Sequence, residues 1–137
     1  INPENYLKKS MFIYAIIATN YDLLIVDLFF NEESPFTAEE VEEMRAKANG
    51  GRRLVIAYVS IGEAEDYRWY WQTGWKPGNP SWLGEENPDW EGNFTVRYWD
   101  PEWQKIIYGN DNSYVKKVLD AGFDGIYLDR IDAFENF

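Results

Sequence analysis

The sequence predicts an α/β fold built on parallel strands. Three short apolar runs, at residues 23–26, 54–59 and 125–128, are separated by segments whose apolar residues recur at helical spacing. Strands that alternate with helices pair in parallel through right-handed crossovers. The chain has 137 residues, of which 45% are hydrophobic. This is the size of one domain, so we expect a single domain over residues 1–137.

The first predicted helix extends from Pro3 to about Ala18, where the apolar side chains lie near helical spacing. The apolar run at residues 23–26 follows and ends in Asp27. A continuous apolar run of this length is typical of a strand buried on both faces, so we expect such a strand here.

The second predicted helix has clear signals at both ends. Thr37 and Glu40 have the spacing of a capping box, and Phe36 and Val41 have that of a hydrophobic staple. Two consecutive glycines at residues 50–51 end the helical pattern. The apolar run at residues 54–59 then predicts the second buried strand.

The segment 62–95 is aromatic, rich in Gly, Pro and Asn, and shows little periodicity. We therefore expect a long irregular loop here. Asp100 and the proline after it then have the pattern of a helix start. We expect this helix to break at Gly109 and to restart at Asp111 or Ser113. The last predicted strand covers residues 125–128.

The composition excludes several kinds of site. There is no Cys and no His, which removes thiolate metal sites and Ser-His-Asp or Cys-His catalysis and argues against catalytic zinc. Acid–base chemistry must therefore come from carboxylates, Lys or Tyr. The net charge of −11 disfavours nucleic acid and favours a cationic partner. No apolar run approaches the roughly 18 residues that a membrane span needs.

Acidic residues follow each predicted strand. Asp27 follows the first, Glu63 and Glu65 follow the second, and Asp129 follows the third. A single acid there is usually a turn or cap residue, but three such strand ends share one face of a parallel fold, where active sites form. Paired carboxylates can cleave glycosidic bonds. Acidic clusters can also bind Mg²⁺ or Ca²⁺. The spacing here matches no calcium loop and no Walker motif, so a metal site is the weaker of the two hypotheses.

Aromatic residues are concentrated in the second half of the chain. Six of the seven tryptophans lie between residues 69 and 99. Aromatic faces stack on sugar rings, on bases and on other proteins. Consecutive aromatics at residues 69–71 cannot all face one side, so at least one of them should pack in the core. Trp99, just before the predicted helix start, is our preferred sugar-binding platform.

Two segments carry a resemblance to a known family. Residues 60–68 read SIGEAEDYR and residues 122–132 read GFDGIYLDRID, and both are similar to motifs of glycoside hydrolase family 114. The connecting segments WLG at residues 82–84 and YWDPEW at residues 98–103 resemble its bacterial and archaeal subgroup, formerly labelled cysteinyl-tRNA synthetase related. The resemblance covers essentially the whole chain.

The resemblance implies a (β/α)₈ TIM barrel that hydrolyses α-1,4-linked galactosamine polymers. The implied enzyme acts within the polymer, retains anomeric configuration and needs no cofactor. By the family pattern Asp129 is the nucleophile, and the acid/base is a Glu on a later strand, outside this chain. An extracellular or cell-envelope location is inferred from the polymer substrate. The residues expected to line the same rim and bind substrate are Asp27, Glu63, Glu65, Asp132 and Trp99.

A full barrel needs at least about 200 residues, so the resemblance implies that this chain holds roughly the first half of one. The segment INPE at residues 1–4 is similar to the end of the first barrel strand, and the chain stops after the fourth. We expect the isolated chain to be inactive without the missing half. Two unpaired sheet edges would also make self-association possible.

Two rival functions would use some of the same features. A non-catalytic carbohydrate-binding domain would also explain the acids and aromatics, but would produce no new reducing ends. A synthetase would need nucleotide-binding signatures with His and Lys, and the chain has no His and a net charge of −11. A glycoside hydrolase is therefore our preferred hypothesis, and a carbohydrate-binding domain is the alternative.

Overall fold

Helices and strands alternate along the chain in the computed structural model, which describes residues 2–137. Ile1, expected at the end of a barrel strand, lies outside the described residues. Short 3₁₀ helices cover Pro3–Asn5 and Ala133–Asn136. The helices are α1 (Lys9–Ile17), α2 (Ala38–Met44), α3 (Pro101–Ile107) and α4 (Tyr114–Asp120). The strands are β1 (Leu23–Asp27), β2 (Leu54–Ser60), β3 (Glu63–Glu65), β4 (Leu83–Glu86), β5 (Asn93–Val96) and β6 (Gly125–Asp129).

The chain divides into two compact units. The first contains the residues up to Tyr58 together with Val118–Tyr127, and the second contains Val59–Lys117 together with Leu128–Phe137. β2 and β6 each begin in the first unit and end in the second. The acids at the end of β6 and after β2 therefore belong to the second unit, whereas Asp27 belongs to the first.

The sheet β1-β2-β6 is parallel. β1 pairs with β2 along its whole length, and β6 is the other neighbour of β2. Just before β6 the Asp124 N–H donates to the Val55 carbonyl at 2.9 Å, and at its end the Asp129 carbonyl accepts from the Ile61 N–H at 3.1 Å. The earlier residue of one segment bonds to the earlier residue of the other, and the later residue to the later one. β6 therefore also runs parallel to β2. The prediction of an α/β class with parallel pairing is confirmed.

The prediction that β1 is buried on both faces is wrong. Val26 is buried, but Leu23 and Ile25, on the opposite face, are 50% and 45% exposed. Residues two apart in a strand share a face, so one face of β1 joins the core of the first unit while the other stays accessible. The buried side chains of that core include Phe12, Ile13, Ile16, Val41, Met44, Val55 and Ala57.

The predicted first helix is shorter than expected. Asn2 accepts from the Glu4 N–H and caps a 3₁₀ turn, and extended backbone at Tyr6 and Lys8 separates that turn from α1. The apolar spacing was read correctly over residues 9–17. It did not show that the asparagine before Pro3 favours a separate turn, because Asn competes locally for backbone donors.

The capping box of α2 is confirmed. The Thr37 hydroxyl accepts from the Glu40 N–H at 3.2 Å, and the Glu40 carboxylate accepts from the Thr37 N–H at 2.9 Å. Phe36 and Val41, the two residues of the predicted staple, are buried. α2 ends at Met44, earlier than the glycines at residues 50–51.

The segment predicted to be irregular contains a small antiparallel sheet in the order β3-β5-β4. Its strands have only three or four residues, too few for the alternation of apolar and polar residues to be recognised. Tyr70 is buried beside Trp103, which confirms that one of the aromatics at residues 69–71 packs in the core. Trp82 is also buried. Much of the aromatic content therefore builds the core of the second unit.

The predicted helix start at Asp100 is confirmed, since its side chain accepts from the Glu102 N–H at 2.9 Å at the start of α3. The break at Gly109 also occurs, with φ at +88°. Of the two possible restarts, the structure selects Ser113, whose hydroxyl accepts from the Lys116 N–H at 3.3 Å.

In the first unit, Asp124 of the GFDG segment (residues 122–125) forms a set of charged contacts that we call the clamp. The Asp124 carboxylate accepts from the Val55 N–H at 2.8 Å and pairs with Arg45, which also donates to the Gly122 carbonyl. Burial by itself raises the pKa of Asp124. The Val55 hydrogen bond and the Arg45 charge outweigh burial, so the pKa lies below its ordinary value of 3.8. Asp124 thus ties β2, the start of β6 and the end of α2 together.

We expect Asp124→Asn to lower the free energy of unfolding by about 1–3 kcal/mol at neutral pH, because Arg45 and the Val55 N–H lose a charged acceptor. Since folding lowers the pKa of Asp124 from 3.8, its stabilisation is complete above that value and is lost as the pH falls through the folded pKa. Urea unfolding at neutral pH and at about pH 2 tests this linkage. The difference between wild type and Asp124→Asn should shrink in acid, whereas Asp111→Asn, at an exposed loop position, should have no effect. A difference that stays constant with pH would contradict the clamp.

Candidate functional site

Asp129, the expected nucleophile, is the last residue of β6. Its carbonyl accepts from the Ile61 N–H at 3.1 Å, which joins the end of β6 to the segment after β2. Its side chain is partly accessible. The acid is thus carried on a hydrogen-bonded strand end, where a reacting group can be both held and reached.

Arg130, directly after Asp129, has a left-handed backbone with φ of +60°. Among the described residues other than glycine it alone has a positive φ. Its guanidinium lies 3.0 Å from the Glu63 carboxylate and 3.7 Å from that of Asp132. Left-handed backbone disfavours side chains with a Cβ, so such a residue is a feature to be explained.

Glu63 is buried, with only 2% of its surface exposed. Its Oε1 accepts from Asn87 at 2.9 Å and faces Arg130, and its Oε2 accepts from Asn93 at 3.3 Å. Both carboxylate oxygens therefore have partners within the second unit. A buried carboxylate is tolerated where a cation and hydrogen-bond donors surround it in this way.

Gly62 permits the close approach of the segments after β2 and β6. A Cβ at this position would lie 2.1 Å from the Arg130 carbonyl oxygen and 2.6 Å from the Ala133 Cβ. No side chain fits at that separation, so residue 62 must be glycine in this fold.

Glu65 is the second buried acid of the segment. Its carboxylate accepts from the Tyr67 hydroxyl and lies 3.2 Å from Arg68, and its N–H donates to the Tyr70 hydroxyl at 2.9 Å. Burial, and then the Glu65 charge, raise the pKa of Tyr70 above its ordinary value. Tyr70 is therefore a neutral hydroxyl that holds the backbone of Glu65 in place.

Trp99, the expected sugar platform, belongs to a half-exposed aromatic cluster formed with Tyr98 and Phe137. The Trp99 ring meets Phe137 edge to face at 4.7 Å and Tyr98 at 5.0 Å. Trp99 is 49% exposed, so part of its indole surface stays accessible for stacking.

The structure brings some of the expected site residues together. Glu63, Asp129 and Asp132 are connected through Arg130 and Ile61, and Asp132 is the most accessible of these acids. Asp27 lies in the first unit at the end of β1, where its carboxylate accepts from the Phe29 N–H at 2.8 Å. The substrate-binding roles of all five expected residues stay predictions, and for Glu63 and Glu65 the contacts described above are internal to the protein.

Sequence reasoning gave no role to Arg130, Asn87 or Asn93. The DR pair at residues 129–130 was visible, but nothing in it indicates a left-handed backbone. The two asparagines lie in the segment that showed no periodicity, 24 and 30 residues from Glu63. Of these three residues, only Arg130 stands beside a predicted acid in the sequence, where its charge could have drawn attention to it.

Within residues 2–137, no group of three or more acidic side chains is arranged to hold a metal ion. The helices of the same residues are also too short and too polar for any of them to cross a membrane.

The model of Glycoside-hydrolase family GH114 matches residues 7–137. An uncharacterized protein of Methanocaldococcus jannaschii is 44% identical over 132 residues, which cover 95% of this chain and 36% of that protein. An uncharacterized protein of Deinococcus radiodurans is 48% identical over 121 residues, covering 88% of this chain and 36% of that protein. The chain thus spans about a third of the length of the curated relatives it matches.

A solved structure is similar in fold. The crystal structure of Aspergillus fumigatus Ega3 in complex with galactosamine matches with a TM-score of 0.60 and 23% identity. The match covers 85% of this chain and 40% of that one. At this level of identity the likeness concerns the fold alone.

We expect Gly62→Ala to destabilise the second unit by about 1–3 kcal/mol, because the added methyl group overlaps the Arg130 carbonyl and forces the backbone apart. Thermal unfolding measures the effect. Gly109→Ala is the matched control for backbone strain, since Gly109 has a positive φ but no atom within 4 Å of an added Cβ. Gly62 itself has no positive φ, so a Gly62→Ala variant as stable as wild type would contradict the close approach.

Proposed function

The chain belongs to glycoside-hydrolase family GH114, and from this premise we propose that it forms part of a glycosidase whose nucleophile is Asp129. The observation that carries the proposal is the place of Asp129 at the end of a parallel strand, fixed by the Ile61 N–H and partly accessible. Active sites of parallel barrels lie at this end of the strands.

In the proposed reaction the Asp129 carboxylate attacks the anomeric carbon and forms a covalent glycosyl-enzyme. A second carboxylic acid protonates the leaving oxygen and then deprotonates the water that releases the sugar, which retains the anomeric configuration. We assign the second group to no residue of this chain. By the family pattern, we propose that it is a Glu on a later strand of the longer fold.

The proposed substrate is a polymer of α-1,4-linked galactosamine, cleaved within the chain. Two observations support it: the fold neighbour Ega3 was solved with galactosamine, and this chain has a net charge of −11. Unacetylated amino sugars carry ammonium groups near neutral pH, which an acidic surface attracts. A polymer of this kind fits an enzyme located outside the cell or in its envelope.

We propose two different roles for the four acids and one tryptophan expected to bind substrate, according to how far each is buried. Asp132, Trp99 and Asp27 have accessible surface and are proposed to contact sugar hydroxyls, ammonium groups or ring faces. Glu63 and Glu65 are almost fully buried. For these two we propose a supporting role instead, because substrate contact would require breaking their bonds to Arg130, Arg68 and the asparagine amides.

We further propose that the sheet β1-β2-β6 is part of a (β/α)₈ barrel. The parallel order of its strands supports this proposal. So does the likeness in fold to the solved Ega3 structure, 40% of which this chain covers. The half-exposed apolar residues Leu23 and Ile25 would then face the barrel interior. Residues outside this chain would complete both the barrel and the catalytic pair, so we propose that these 137 residues do not cleave polymer by themselves.

In the full-length protein, Asp129→Asn should reduce the release of reducing ends from α-1,4-galactosamine oligomers by about a thousandfold or more, because the nucleophile is lost. Binding and thermal stability should change little. Asp111→Asn, at an exposed loop position, removes the same charge and should leave cleavage intact. Turnover that survives Asp129→Asn would contradict the assignment, and a wild-type protein that binds the oligomers without cleaving them would favour the non-catalytic binding domain.

Binding of the cationic polymer should weaken when salt rises from about 0.05 M to about 0.5 M, because added ions screen attraction between separated charges. The fully N-acetylated polymer is the neutral control and should bind with little dependence on salt. Titration calorimetry with the Asp129→Asn variant gives both affinities without turnover. A cationic polymer whose Kd does not change with salt would rule out electrostatic attraction as the basis of recognition.

A further inference from the structure

We infer that Glu63 and Arg130 form a positioning pair that holds Asp129 in its reactive orientation. The inference rests on the proposed function, because it gives the pair its purpose through the nucleophile. It replaces a role for Glu63 in substrate contact with one that acts through the neighbouring backbone.

The backbone after Asp129 needs such support. A left-handed conformation costs a residue with a Cβ about 1–2 kcal/mol, and Arg130 has a φ of +60°. A conformation of this kind persists only where its surroundings enforce it. Relaxation of Arg130 to ordinary backbone angles would turn the peptide that carries Asp129.

The Glu63 carboxylate holds Arg130 in this conformation through an ion pair. It is 2% exposed and lies 3.0 Å from the Arg130 guanidinium. Asn87, just after β4, donates to its Oε1, and Asn93, at the start of β5, donates to its Oε2. The acid cannot follow if Arg130 moves, so the guanidinium has a rigid anchor.

The main chain that follows the Asp129 Cα is therefore held at two consecutive carbonyls. The Asp129 carbonyl is bonded to the Ile61 N–H, and the next carbonyl, that of Arg130, lies against Gly62. Between these two contacts lies the Cα of Arg130, so the peptide that joins Asp129 to Arg130 has little freedom to turn. A nucleophile must be placed to within a fraction of an ångström, and a 1 Å displacement can cost about a hundredfold in rate.

The pair also controls charge. The Arg130 guanidinium lies 3.0 Å from the Glu63 carboxylate and 3.7 Å from that of Asp132. Without the guanidinium, the buried Glu63 charge would keep only the two asparagine donors described above.

The test uses the full-length protein with Glu63→Gln, Arg130→Gly and Arg130→Lys. Arg130→Gly removes the guanidinium and also relieves the left-handed strain, so a loss of activity cannot be ascribed to steric strain at residue 130. We expect kcat to fall about tenfold to a hundredfold in Glu63→Gln and Arg130→Gly, with KM within about twofold of wild type. Arg130→Lys keeps the charge and should recover part of kcat.

Hydrogen–deuterium exchange gives a readout that needs no turnover. The Ile61 amide, which donates to Asp129, should exchange about tenfold faster in both disrupting variants than in wild type. Glu102→Gln is the matched control, because it breaks an exposed ion pair with Lys105 in the same unit. It should change neither kcat nor the exchange of Ile61.

Wild-type kcat in Arg130→Gly, or a loss confined to KM, would overturn the positioning pair. If Glu63→Gln does not fold, Arg130→Gly and Arg130→Lys decide the same question. If Asp129→Asn retains turnover, the proposed nucleophile fails instead. In that case unchanged Ile61 exchange would also overturn the pair, and faster exchange would support its hold on this backbone.

Discussion

At the end of β6 the Asp129 carbonyl accepts from the Ile61 N–H, and the Arg130 carbonyl lies so close to Gly62 that no Cβ fits between them. The segments after β2 and β6 meet through this contact. Asp129, Arg130 and Asp132 are placed on one side of it and Glu63 on the other. The candidate site depends on this approach, because every ionic contact of Glu63 described above crosses it.

Buried charge is the second constraint on the site. Glu63 and Glu65 are almost fully buried, and each faces an arginine, Arg130 or Arg68. Removing one partner of a buried ion pair leaves a charge with no compensation, which costs about 3–5 kcal/mol. In a chain with 24 acidic and 13 basic residues, these two arginines pair with the buried acids, while Asp132 keeps accessible surface.

Local signals were read correctly where a few neighbouring residues decide the structure. The Thr37–Glu40 capping box and the Asp100 cap depend on side chains two or three residues from their partners, so the sequence displays them directly. The antiparallel hairpin in residues 62–95 was missed, because strands of three or four residues carry too little periodicity. The accessible face of β1 was also missed, since an apolar run does not say what covers it.

The sequence by itself determined the α/β class, the strand ends that carry acids and, through its motifs, the family. These depend on short-range patterns or on residues that stand together in the chain. Only the tertiary structure decided that Glu63 is buried, that Arg130 is left-handed and that the two form an ion pair across 67 positions. The physical reason is that burial and long-range pairing depend on which segments the parallel sheet brings together, and no local pattern around Glu63 or Arg130 records that neighbour.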